Sequence, residues 1–202
     1  MKADAASDSG EQTGARRAAP GRLALVQAFV NTNDREGRED RFDTLHGLWM
    51  WLEGASLPFD DSEIGESERA QAIELREGIR GLARLHSGQD REAPHPGELE
   101  GAIGRLDLTA SYVGGQIALT GRTPVGIVLA PIVDAMRSAM DNLTWSRLKV
   151  CERDKCQWLF YDHSRNRTAH WCTTDLCGSR EKARRAYARR TAAHDSEHNS
   201  IG

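Results

Sequence analysis

All four cysteines of this 202-residue chain, Cys151, Cys156, Cys172 and Cys177, fall within one short segment. Their spacing is Cys-x4-Cys-x15-Cys-x4-Cys. Two close pairs separated by a longer excursion suit one tetrahedral ion held by four thiolates in a closed structural site. Each x4 loop lets its two sulfurs reach a common ion. The insert, QWLFYDHSRNRTAHW, has room for a short hairpin or turn, and its Trp158, Phe160 and Trp171 can pack a miniature core against a C-terminal helix. About 45 residues bury too little apolar surface to fold alone, so metal binding and folding are expected to be coupled.

Three other readings stay open: two disulfides, an iron–sulfur cluster, or four unrelated core cysteines. The opening MKADAASDSGEQTG lacks the apolar stretch of a secretory signal, and no apolar run approaches the roughly 20 residues of a membrane helix. Clustered cysteines in a cytosolic chain more often bind metal than form disulfides. The expectation is therefore Zn2+ as cofactor, a cytoplasmic location and no membrane partner. His163 and His170 lie nearby, but four cysteines complete the coordination shell without them. With no open coordination position, the metal is expected to be structural rather than catalytic.

The formal net charge of -3 divides unevenly about this segment. Residues 147–193 hold 12 Lys and Arg against 5 Asp and Glu, or +7. Residues 1–146 hold 15 against 23, or -8, and Asp195 and Glu197 add -2. Zinc on four thiolates carries -2, so the loaded segment remains basic at +5. After Cys177, GSREKARRAYARRTA has strong helix propensity. Ala183, Ala186, Tyr187 and Arg190 are expected to face inward. Lys182, Arg185 and Arg189 would form an exposed row, with Arg180 and Arg184 beside it, while Arg165 and Arg167 add charge from the insert. These seven groups are the candidate nucleic-acid contacts, since they can neutralise phosphates and a helix side fits a DNA major groove. A solvated helix, or one docked on the acidic N-terminal half, is the competing reading.

Upstream, residues 1–20 read as a disordered tail, as do residues 194–202 at the other end. LALVQAFVNT places Leu23, Val26, Phe29 and Val30 on one helical face, and NDREGREDRFD follows as a loop. Thr44 would cap a helix burying Leu45, Leu48, Trp49 and Leu52, stopped by Gly54. A helix from about Ser62 to His86 would bury Leu75, Ile79 and Leu82, with Ile73 and Leu85 adjoining and its Glu and Arg residues opposite. HSGQDREAPHPGE reads as a loop and ELEGAIGRL as a short helix. Alternation in LDLTASYVGGQIALTG about Gly114-Gly115 predicts a β-hairpin near 106–120. Pro124 opens a long helix through Val125, Leu129, Ile132, Met136, Met140 and Leu143, expected to lead directly into the cysteine segment. The predicted fold is mainly α with a small β-hairpin. A helical domain at 21–146 precedes a small zinc-ribbon-like or treble-clef-like module at 147–193 that ends in a basic helix.

Residues Cys151–Arg190 resemble the CGNR zinc-finger family. The likeness is carried by Cys156-Gln157-Trp158-Leu159-Phe160, Asp162, Ser164-Arg165-Asn166, Trp171-Cys172 and Cys177-Gly178-Ser179-Arg180, with Ser179 where asparagine is usual. Upstream, Phe29-Val30-Asn31-Thr32 and the Pro131–Ala135 region resemble the opening and the last helix of the ABATE domain of bacterial stress-induced transcriptional regulators. The resemblance spans about residues 22–192. It implies that Cys151, Cys156, Cys172 and Cys177 bind zinc and that the finger binds DNA.

The expected function is DNA-binding transcriptional regulation. Double-stranded DNA would be the partner of the finger, and the N-terminal domain would sense a small-molecule effector or form a homodimer. The alternative is a zinc-stabilised protein-interaction or RNA-binding module, with Trp158, Tyr161 or Trp171 stacking on bases. No enzymatic activity is expected: there is no serine elbow, zincin motif, phosphate loop or Rossmann fingerprint. Asn31, Thr32, Asp43 and His46 are better read as caps, turns or surface residues than as a pocket lining.

Overall fold

The computed structural model describes residues 16–88 and 96–198. Residues 1–15 and 199–202 of the expected tails, and 89–95 of the expected loop, lie outside the described residues. Among those described are six α-helices and three two-stranded antiparallel hairpins, where one hairpin was expected.

Helix α1 (Leu23–Val30) buries Leu23, Val26, Phe29 and Val30, as its periodicity predicts. The segment expected as a loop forms a minimal hairpin instead, β1 (Asn33–Asp34) with β2 (Glu39–Asp40). Its turn is held by Asp34, whose Oδ1 accepts from the amides of Glu36 and Gly37. Thr44 caps α2 (Leu45–Gly54), accepting from the Gly47 amide at 3.1 Å. This helix buries Trp51 with Leu48 and Leu52, whereas Trp49 is half-buried and donates to the Ile64 carbonyl. Trp51, Phe29 and Phe42 meet in an aromatic cluster with ring centroids 5.4 to 5.9 Å apart.

Helix α3 (Glu66–Leu85) starts four residues later than expected, where the Glu68 carboxylate accepts from the Gly65 amide. Leu75 and Ile79 are buried, but Leu85 is exposed. The arginines do not all lie opposite: Arg76 is 1% exposed and Arg80 2%. Partners remote in sequence make this tolerable. Both oxygens of Asp40 accept from Arg76 at 2.6 Å, and Arg80 donates to the carbonyls of Val30 at 2.7 Å and Gln157 at 2.8 Å. Glu77 pairs with Arg35, Arg76 and Arg80. Burial of a charge requires such pairing, and it still pushes the Arg80 guanidinium down to about 10.

Helix α4 (Pro96–Arg105) lays Leu99 against Gly78, where an added Cβ would meet it at 3.1 Å. Strands β3 (Leu108–Val113) and β4 (Gln116–Gly121) form the expected hairpin, with Gly114 and Gly115 both at positive φ. It packs on α5 (Pro124–Asp141), which Thr123 caps and Pro124 opens. A Cβ on Gly121 would stand 1.9 Å from the Gly126 carbonyl carbon, so the two backbones touch. Val125, Leu129, Ile132 and Met136 are buried, but Met140 and Leu143 are exposed. The helix ends at Asp141, and Leu143 turns back at φ 58°. A 3-10 turn at Trp145–Arg147 then intervenes, so α5 does not lead directly into the cysteine segment.

Strands β5 (Leu148–Val150) and β6 (Leu159–Tyr161) pair across the first cysteine loop. Leu148, Val150 and Leu159 join the main core, while Cys151, Cys156, Trp158, Phe160 and Cys177 form a smaller second cluster. That cluster contains no residue of α6 (Ser179–His198). The inward stripe expected on α6 is absent, because Ala183, Tyr187 and Arg190 are exposed and Ala186 only half-buried. Alanine and one tyrosine supply too little apolar surface to seat the helix. Its backbone continues to His198, past the boundary expected at 193. At the other end, residues 16–20 are not free: Ala19 is buried, and its amide donates to Gln27.

Candidate functional site

The first cysteine pair sits at the tip of the β5–β6 hairpin. The Cys151 amide donates to the Trp158 carbonyl, the Cys156 amide donates to Arg153, and Gln157 closes the loop at φ 54°. Of the second pair, Cys172 precedes and Cys177 lies within a single π-helical turn, Thr174–Gly178, in which the amides of Cys177 and Gly178 both reach the Thr173 carbonyl. The Trp171 ring covers Gly178 so closely that a Cβ there would meet it at 3.2 Å. Ser179 then starts α6, its hydroxyl donating to the Thr174 carbonyl.

The turn and the hairpin tip together bring all four sulfurs within 4.8 Å of one another. Cys156 and Cys172 lie 3.7 Å apart, and Cys172 and Cys177 3.5 Å. Zinc–sulfur bonds of about 2.3 Å in a tetrahedron place sulfurs about 3.8 Å apart. The four cysteines are unbridged, their sulfurs well beyond the roughly 2 Å of a disulfide. A [2Fe–2S] or [4Fe–4S] cluster would divide the four thiolates among two or four irons and spread the sulfurs more widely. One tetrahedral zinc ion fits. His163 and His170 are exposed, bonded to the Ala18 carbonyl and Glu152 respectively, and lie outside the sulfur group.

The N-terminal domain completes both edges of the β5–β6 hairpin. Asn31 bonds the amide and carbonyl of Leu159, each at 2.8 Å. The Ser87 hydroxyl bonds the amide and carbonyl of Val150, each at 2.9 Å, and the His86 ring reaches the Leu148 carbonyl. Behind the strands, Lys149 is buried against Asp162 at 2.8 Å and donates to the carbonyls of Arg167 and Ala169. Burial opposes ionisation of Asp162, but bonds from Lys149, Ser164 and Ala169 outweigh it and hold the carboxyl at about 2. This pin shapes the loop that carries Arg165 and Arg167.

The seven candidate nucleic-acid contacts are all exposed, but they do not form one continuous set. Arg165 and Arg167 lie at the end of the hairpin away from the cysteines, with Arg167 reaching Ser146. Arg184 and Arg185 share Glu181, whose carboxyl they hold at about 2. Arg180 pairs with Glu36 from the β1–β2 turn. Among the described residues, Arg165, Arg167, Lys182 and Arg189 make no ion pair. Glu36 also takes Arg153 at 2.5 Å and lies 3.9 Å from Arg16. Arg16 stacks over Trp158 at 4.2 Å and approaches the Cys156 sulfur at 4.0 Å.

Sequence reasoning missed Arg16, Glu36, Ser87 and Arg153 as parts of this site. Each is an ordinary polar residue whose partner lies far along the chain. Asn31 and Thr32 carried a signal, since they belong to the segment resembling the ABATE opening. Both are structural: Asn31 holds Leu159, and the Thr32 hydroxyl donates to Phe29. Asp43 and His46 are exposed at the start of α2. A cleft of about 260 Å³ opens between Phe59, Glu63, Ile64, Pro124, Ile127 and Val128, below the usual volume of a small-molecule site.

No helix among the described residues is long and apolar enough to cross a membrane. Comparison with curated proteins found no match. Two family models match: the CGNR zinc finger over residues 147–190, and ABATE, described as a "Putative stress-induced transcription regulator", over residues 23–144. The second spans more than half of the sequence, and the chain accordingly belongs to the ABATE family, with a CGNR zinc finger at its C-terminal side.

Proposed function

We propose that this protein is a DNA-binding transcriptional regulator that acts by binding rather than by catalysis. The observation that carries the reading is α6. It is a 20-residue helix that starts at the second cysteine pair, meets the N-terminal domain through the Arg180–Glu36 pair, and carries Lys182, Arg185 and Arg189 in one exposed row. A solvated helix fixed at one end by a metal suits a duplex groove, and its charge suits phosphates. The zinc centre would orient the helix, and the β5–β6 hairpin would hold that centre to the N-terminal domain. Cytoplasmic location follows as part of this reading, because the target is DNA.

For the N-terminal domain, a homodimer is favoured over an effector pocket. The cross-strand pair Tyr112 and Ile117 is 78% and 70% exposed at the turn end of the β3–β4 hairpin, whereas the described cleft is small. The protein-interaction or RNA-binding alternative has less support. Trp158 is buried beneath Arg16, and Tyr161 and Trp171 are half-buried. Selection of genomic duplexes on the purified, metal-assayed protein tests the reading. One molar equivalent of zinc and an enriched duplex sequence are expected. Partners that survive nuclease treatment, with no duplex enriched, would overturn it.

A further inference from the structure

Glu36 is the one N-terminal-domain carboxylate, among the described residues, on which arginines from three separate segments converge. Arg153 comes from the first cysteine loop, Arg180 from the first turn of α6, and Arg16 from the segment ahead of α1. We propose that Arg16, Arg153 and Arg180 form a seat for a nucleic-acid phosphodiester, which Glu36 fills in the free protein. The proposal rests on the DNA-binding reading and adds its control: the N-terminal domain competes with the DNA backbone for the finger's own arginines.

The seat is cationic and matches a compact anion. Its three guanidiniums face the Glu36 carboxylate, with the Asp34 carboxylate also acting on Arg16. A phosphodiester, also a monoanion, replaces the carboxylate at equal charge and presents oxygens to the same planar forks.

The arrangement also permits exchange. Arg180 is half exposed, so a phosphate reaches it from solvent without unfolding anything. Glu36 sits in a turn closed by two residues per strand and by the Asp34 side chain, and no buried apolar residue anchors it. Arg153 and Arg16 are largely covered and remain in place as the fixed floor. Withdrawal of that turn frees the seat, while the Asn31 and Ser87 contacts keep the finger attached.

The test compares the full chain with Glu36→Gln in fluorescence anisotropy against a labelled duplex over a salt series. Asp175→Asn serves as a control with the same charge change, on an exposed residue of the finger. Glu36→Gln is expected to keep zinc content and stay folded with a lowered thermal midpoint, to bind about fivefold more tightly than Asp175→Asn, and to steepen the salt slope by about 0.9. Glu36→Gln/Arg180→Gln is expected to lose that gain. Equal affinities for Glu36→Gln and Asp175→Asn overturn the seat while leaving DNA binding intact. Absence of duplex binding by every variant overturns both.

Discussion

Asn31 holds Leu159 by both sides of its peptide, donating to the carbonyl and accepting from the amide at 2.8 Å each. The side chain thus stands where a third strand would, and Ser87 does the same for Val150 on the opposite edge. With Leu148, Val150 and Leu159 in the main core, the finger is built into the domain rather than linked to it. A two-stranded hairpin is marginal alone in water. Here its edges are satisfied by the domain beneath.

Asn31→Ala is expected to destabilise the protein by about 2–4 kcal/mol, because it strands two backbone groups that water cannot reach. For a chain of this size the midpoint of thermal unfolding should fall by roughly 5–15 °C. Calorimetry should also resolve two transitions where the parent has one. An unchanged single transition would show that the domain does not need this clamp.

The same contact explains what the sequence could and could not disclose. Apolar periodicity located α1 and α5, and the Gly114-Gly115 turn located the hairpin, since those signals lie within one element. The paired cysteines are legible because the ion imposes the spacing. Arg76 and Arg80 were misread as solvent-facing because their partners, Asp40 and the carbonyls of Val30 and Gln157, are brought up by other segments. Residues 16–20 have the composition of a tail and gain structure from partners remote in sequence, among them Gln27, Glu36, Cys156, Trp158 and His163. On α6 the error ran the other way, since a helix period says nothing about whether a neighbour exists to pack on.

Cys172→Ser should lose zinc, since three thiolates and a hydroxyl bind it far more weakly than four thiolates. Zinc measured after dialysis should fall well below one equivalent. The Thr174–Gly178 turn and the start of α6 should then become protease-sensitive. Full zinc retention would count against a four-cysteine site.

Lys149 and Asp162 are a buried pair, so removing one charge should cost more than removing both. Asp162→Asn leaves a buried ammonium uncompensated, at about 3–5 kcal/mol. The double variant Lys149→Met/Asp162→Asn should recover much of that loss, apart from the loop carbonyls that Lys149 serves. Urea unfolding of the four-member cycle measures the coupling. Additive single effects would mean that the two charges act independently.

Gly121→Ala should be far worse than Gly104→Ala. At Gly121 the new methyl would stand 1.9 Å from a backbone carbon of α5, which cannot yield as a flexible side chain would. A cost of about 3 kcal/mol or more is expected, with partial loss of soluble protein. Gly104 has nothing within 4 Å and lies inside α4, where alanine should stabilise by up to about 1 kcal/mol. Thermal midpoints moving in the same direction for both would contradict the close approach of β4 to α5.

The basic residues of α6 should contribute unequally to DNA affinity, in proportion to how free their charges are. Lys182, Arg185 and Arg189 share one exposed row, but Arg185 and Arg184 also neutralise Glu181. Each phosphate contact releases counterions and adds about 0.9 to the slope of log affinity against log salt. Lys182→Gln and Arg189→Gln should therefore each flatten the slope by nearly that amount. Arg184→Gln should change it little, because its charge is already met within the helix. Arg165→Gln and Arg167→Gln, at the far end of the hairpin, test whether the duplex also reaches the pinned loop. Anisotropy titrations at several salt concentrations give the slopes directly. If Arg184→Gln flattens the slope as much as Lys182→Gln, Glu181 does not mask it, and the exposed row is not the face that meets the duplex.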